Sequence, residues 1–144
     1  MSVIIIPTKT QVSQFSSWYG VDLDGTLATY GGWKGRDHIG EPIKPMVDRI
    51  KAWLAKGETV KIFTARACEP EAIPPVKAWC LKHIGVELEV TNVKDYGMIE
   101  IWDDRAVRVV FNQGHPCCDH EYQRKDHKRK TQAEEKEVYC STKS

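Results

Sequence analysis

Two periods of apolar and polar residues alternate along this chain. Short apolar runs at Trp18 to Leu23, Thr59 to Phe63, Val86 to Val90 and Met98 to Trp102 read as β-strands, and Val107 to Phe111 predicts one more. Between the first two runs, Met46, Val47, Ile50, Trp53 and Leu54 recur at helical spacing, with Asp48, Arg49, Lys51 and Lys56 mostly opposite. Pro45 suits the first turn of that helix and Gly57 the position just past its end. A second helix is expected from about Pro75 to Ile84, burying Val76, Trp79, Cys80 and Ile84, with Gly85 behind it. The glycine-rich, polar stretch Thr26 to Gly40 suits a hairpin-like flap with Lys34 and Arg36 at its tip. Strands alternating with helices predict an α/β fold with a mostly parallel sheet.

In such sheets ligands bind beyond the carboxyl ends of the strands. Asp22, Thr64 and Asp103 each fall at such an end, and Lys94 follows another, so residues far apart in sequence meet at one rim. Within Val21-Asp22-Leu23-Asp24-Gly25-Thr26, residues two apart in a strand face the same way, so Asp22 and Asp24 can converge while Leu23 turns into the core. Gly25 lets the backbone leave the strand. Two like charges that close are tolerated when a cation neutralises them or one carboxyl keeps its proton. The plainer alternative is an Asp-Gly turn with two solvated acids.

Composition narrows the picture. The chain has 144 residues and a formal net charge of +1, which suits one domain and gives no electrostatic argument for a nucleic-acid coat or a membrane surface. The expected organisation is an N-terminal extension over 1–17, a catalytic domain over 18–112 and a charged tail over 113–144, with Val3 to Ile6 as a possible added edge strand. Five cysteines, irregularly placed, argue against a disulfide framework and for a reducing, cytoplasmic setting. No apolar run approaches a membrane span, and the start lacks the features of a secretion signal. The cluster His115, Cys117, Cys118 and His120, with His127 and Cys140 beyond, fits zinc spacing poorly and reads as a surface turn with free thiols. Trp33 and Tyr30 on the flap could stack on a base or pin the flap to the domain.

The rim supplies what hydrolysis of a phosphate monoester needs. Asp22 can act as nucleophile through an acyl phosphate, and Asp24 can protonate the leaving oxygen and then deprotonate water. Asp103 and Asp104 complete an oxygen-rich set that suits Mg²⁺. Thr64, Lys94 and Arg66 can donate to the phosphoryl oxygens, Arg66 in bidentate fashion.

Asp22-Leu23-Asp24-Gly25-Thr26, Thr64, Lys94 and Asp103-Asp104, in that order, resemble the four motifs of the haloacid dehalogenase-like hydrolase superfamily over about residues 18 to 112. The resemblance implies a Rossmann-like three-layer α/β/α fold and Mg²⁺ dependence, with Asp22 as nucleophile and Asp24 as general acid/base. It implies metal ligation by the Asp22 side chain, the Asp24 backbone carbonyl and Asp103, with Asp104 close by. Thr64-Ala65-Arg66 and Asp103-Asp104-Arg105 further resemble elements of the 3′-phosphatase domain of phage polynucleotide kinase, which adds Arg105 to the phosphate-binding residues. The short intervals between motifs imply that no cap domain is present and that the site admits a bulky substrate. The expected activity is therefore a Mg²⁺-dependent phosphatase acting on a nucleic-acid 3′-phosphate or a nucleotide. The alternatives are a phosphatase of a small metabolite or phosphoprotein, and a non-catalytic binding module on the same fold.

Overall fold

The computed structural model describes residues 16–117. Val3 to Ile6, His120, His127, Cys140 and most of the charged tail lie outside that range. The elements run β1 (Trp18–Val21), α1 (Lys44–Ala55), β2 (Val60–Phe63), α2 (Ile73–His83), β3 (Glu89–Thr91) and β4 (Met98–Trp102), with 3-10 turns at Ala65–Cys68 and Pro70–Ala72. The strands form one sheet in the order β3-β2-β1-β4, and every pairing is parallel.

Helix α1 follows its sequence pattern closely. Pro45 occupies the first turn, where a missing N–H costs no hydrogen bond, and Gly57 takes a positive φ of 81° beyond the end. Helix α2 begins two residues before the expected Pro75 for the same reason, because Pro74 and Pro75 both fall within a first turn whose amides have no helical acceptor. Strand β3 is shorter than the expected Val86 to Val90 and ends one residue later, at Thr91.

Both helices pack into a single core. Met46, Val47 and Ile50 of α1 and Val76, Trp79 and Cys80 of α2 join Val21, Val60, Ile62 and Val90 of the sheet in one buried cluster. Trp53 of α1 stacks on Tyr19 at 4.4 Å and meets Trp102 edge-on at 5.5 Å. The steps β1-α1-β2 and β2-α2-β3 cross the sheet in the same direction, so right-handed connections put both helices on one face. The return from β3 to β4, over 92–97, crosses the other face without a helix. There Trp18 is fully buried, with Lys61 Nζ 4.6 Å above its ring and its indole N–H on Asp95 Oδ1 at 2.8 Å. Of the three layers expected, two are formed by helix and sheet among the described residues.

The strand expected over Val107 to Phe111 does not join the sheet. Val109 instead bridges Pro116 in a local antiparallel turn, closed by Val110 N–H on the His115 carbonyl and Cys117 N–H on that of Arg108. Its alternating apolar residues are left outside, with Val109 and Phe111 exposed. Among the described residues, no helix is long and apolar enough to cross a membrane.

Candidate active site

The site is built on the turn that follows β1. Asp22 N–H donates to the Trp102 carbonyl at 2.9 Å, which continues the β1–β4 ladder by one residue and sets Asp22 beside Asp103. The chain then folds back at once. The Leu23 carbonyl accepts the N–H groups of Leu27 and Ala28, both at 2.9 Å, and Gly25 takes a φ of +88° that L side chains rarely adopt. Leu23 and Leu27 are fully buried; burying a leucine side chain stabilises by about 1.5–3 kcal/mol. Their burial anchors the turn and leaves the two carboxylates to the rim.

Asp22 and Asp24 then part company, because the strand ends at Val21 and the alternation of faces no longer governs Asp24. Oxygens of Asp22, Asp103 and Asp104 all lie within 4.8 Å of one another. Asp24 is absent from that group and buried, 4% exposed. Arg66 grips its carboxylate from both sides, Nε on Oδ2 at 2.8 Å and Nη2 on Oδ1 at 2.8 Å.

Thr26 ties the acidic cluster together. Its Oγ1 lies 3.4 Å from Asp22 Oδ2 and 3.1 Å from Asp104 Oδ1, and it accepts the Asp104 N–H at 3.0 Å. Gly25 is tightly placed as well, since a Cβ there would come within 2.9 Å of the Asp104 carboxylate. Burial pushes the Asp22 carboxyl up to about 8, reinforced by the charges of Asp103 and Asp104, a hydrogen bond with Asp104 and the charge of Asp24. Two unit charges 4 Å apart near a protein surface interact by about 4 kcal/mol. Three carboxylates so close are therefore a poor purely structural device and a good cation site. An all-oxygen donor set of this kind fits Mg²⁺.

A cleft of about 310 Å³ opens beside the cluster, lined by Asp22, Phe63, Thr64, Ala65, Asn92, Asp103 and Arg105. Thr64 is buried, and its Oγ1 accepts the Arg66 N–H at 3.2 Å while keeping its own proton to donate. Arg105 is exposed at the mouth, with its backbone N–H on Asp103 Oδ1 at 2.8 Å.

Two expected phosphate ligands sit elsewhere. Lys94 is exposed and is not among the cleft-lining residues. With β3 ending at Thr91, Asn92 takes the rim position, and Lys94 falls on the crossing loop held by Asp95. Arg66 has the geometry of a structural clamp: beyond Asp24, its Nη1 donates to the Arg36 carbonyl at 3.2 Å and its Nη2 to the His38 carbonyl at 3.0 Å. Trp33 lies over the same guanidinium at 4.8 Å, which favours the pinning role for that residue. Asn92 at the cleft and Thr26 as a bridge are two residues the structure adds to those expected. Asn92 carried no charge to flag it; Thr26 lay inside the motif, and only its spacing to Asp104 reveals what it does.

No protein-family model matches this chain, and no curated protein matches it. Among solved structures, the chain is similar to a conserved protein from Bacteroides thetaiotaomicron, with 22% identity, 82% of this chain and 95% of that one covered, and a TM-score of 0.49.

Proposed function

We propose that this protein is a phosphoric monoester hydrolase of the haloacid dehalogenase-like type, without a cap domain, working through a phosphoaspartate on Asp22. The observation that carries the reading is the convergence of Asp22 with Asp103 and Asp104 beside a cleft that also presents Thr64, Asn92 and Arg105. The intervals between the motif residues hold only a flap with α1 and then α2, which supports an open site.

Asp22, Asp103 and Asp104 would hold Mg²⁺, which would neutralise the cluster and offset charge on the phosphoryl oxygens. An Asp22 carboxylate oxygen forms a bond to phosphorus as the ester P–O bond breaks, and the leaving oxygen takes a proton from Asp24, which is paired as a carboxylate with Arg66 here and takes up that proton from solvent before the step. Asp24, now a carboxylate, takes a proton from water as the water oxygen attacks the phosphoaspartate. Breakage of the P–O bond to Asp22 then releases inorganic phosphate and restores both carboxyl groups. Thr64 and Arg105 donate to the phosphoryl oxygens. The favoured substrate class is a nucleic-acid 3′-phosphate or a nucleotide, supported by the Thr64-Ala65-Arg66 and Asp103-Asp104-Arg105 resemblances.

A panel of 3′-phosphorylated oligonucleotides, mononucleotides, sugar phosphates and phosphopeptides, run with and without Mg²⁺, tests the reading. Metal-dependent release of phosphate, fastest from the oligonucleotide or nucleotide, is expected. A preference for sugar phosphates or phosphopeptides would keep the chemistry and replace the substrate class. No hydrolysis of any member, with no metal bound, would overturn both.

A further inference from the structure

We propose that Arg66 is a positioning residue that fastens the flap to Asp24, so that one guanidinium sets both the Asp24 carboxylate and the position of the flap. The inference rests on the reading of Asp24 as general acid/base. It replaces the role of phosphate ligand that the sequence alone suggested for Arg66.

The flap spans residues 29–41 and is closed at its base by Thr29 N–H on the Glu41 carbonyl at 2.8 Å and Glu41 N–H on Thr29 Oγ1 at 3.0 Å. A Cβ on Gly40 would fall 1.9 Å from the Thr29 carbonyl oxygen, so the crossing admits only glycine. The Trp79 indole N–H of α2 holds the Gly40 carbonyl at 3.0 Å, which fixes the base to the core. The tip is held differently. Beside Ile39, which packs against the core, its attachments include the two carbonyls of Arg36 and His38 on Arg66, the Trp33 ring over the same guanidinium, and a looser Arg36–Glu69 ion pair at 3.9 Å.

The Arg36 and His38 carbonyls and the Trp33 ring converge on one residue that is 6% exposed. A guanidinium has five N–H donors in a rigid fork, and lysine cannot reproduce that fork. In Arg66, Nε and Nη2 engage the carboxylate, while Nη2 and Nη1 engage the flap carbonyls. Asp24 orientation and flap position are thereby coupled through one group. Arg66 reaches that place because the Thr64 side chain accepts its backbone N–H and turns the chain directly after β2.

The test uses the full-length chain carrying Arg66→Lys, which keeps the charge and removes the fork, alongside Asp24→Asn, which keeps the shape and removes the carboxylate. The first readout is hydrogen exchange. Amides over 29–41 should lose protection in both variants while those of β1, β2 and β4 keep theirs. Unchanged flap protection in Arg66→Lys would overturn the fastening, and unchanged protection in Asp24→Asn alone would overturn the coupling.

The second readout is kcat/KM of Arg66→Lys, which reports steps through leaving-group departure. With an alkyl phosphomonoester, whose leaving oxygen needs a proton, it should fall by about 100-fold or more, the range of a positioned acid. With p-nitrophenyl phosphate, whose leaving oxygen does not, it should fall by less than about 10-fold. Equal losses on both substrates, or a loss confined to KM on both, would overturn the positioning role. A wild-type protein inactive on both esters would sink the phosphatase reading, and the exchange measurement would still decide the fastening.

Discussion

Asp22 and Asp24 sit two residues apart in one turn, and the fold treats them in opposite ways. Asp24 is buried in a bidentate ion pair with Arg66, both oxygens engaged. Asp22 faces two further carboxylates and carries a carboxyl pushed up to about 8. The first charge is compensated by the chain itself, and the second is compensated only by something added. That difference separates a residue held in place from a residue held ready, and under the proposed function the metal and the nucleophile would share one spot.

The sharpest way to break the comparison is to exchange the charge on one member. Asp22→Asn should lower turnover by about 10⁴-fold or more, as loss of a nucleophile does, and leave the thermal unfolding of the protein intact or improved. The corresponding change on the other side acts on stability. Arg66→Met leaves Asp24 as a buried, unpaired carboxylate and should cost about 3–5 kcal/mol in denaturant unfolding. Replacing both partners, Asp24→Leu with Arg66→Met, should recover most of that loss, because the buried charge then disappears with its partner.

The contrast also predicts a pH dependence. Because the folded protein raises the Asp22 carboxyl from 3.8 to about 8, the native state binds this proton more tightly than the unfolded chain does. The stability contribution is therefore fully present below about pH 4 and lost as the pH rises toward 8, with a slope of up to about 1.4 kcal/mol per pH unit from this group. Chelator-treated protein should show that decline in urea unfolding, and Asp22→Asn or saturating Mg²⁺ should flatten it. A smaller effect tests the turn. Gly25→Ala, with its φ of +88° and a contact 2.9 Å from the Asp104 carboxylate, should destabilise by about 1–2 kcal/mol and weaken Mg²⁺ binding by calorimetry.

Much of this was legible in the sequence, for reasons that also explain the rest. Strands β1, β2 and β4 and helix α1 carry strong periods bounded by proline and glycine, so local chemistry and tertiary packing agree. The acidic cluster was legible because Asp22 and Asp103 each fall directly after a strand, and parallel pairing of β1 with β4 brings those ends together. The pairing of Arg66 was not legible because its partner lies 42 residues away, and nothing local tells an arginine that grips a carboxylate from one that waits for a phosphate. The place of Lys94 outside the cleft lining was not legible because it depends on a strand boundary, since the shift of β3 toward Thr91 hands the rim to Asn92. Val107 to Phe111 has the alternation of a strand, but Asn112 at a φ of 62° and the Val109–Pro116 bridge turn it back on itself.

The claim that Asp22 is the reacting carboxylate is tested most directly by trapping its product. Protein mixed with Mg²⁺ and a 3′-phosphorylated oligonucleotide, quenched in acid within the first turnover and digested, should yield a phosphoryl adduct on the peptide bearing Asp22 that is lost in Asp22→Asn. Full metal-dependent turnover with no such adduct, or turnover that survives Asp22→Asn, would contradict the account.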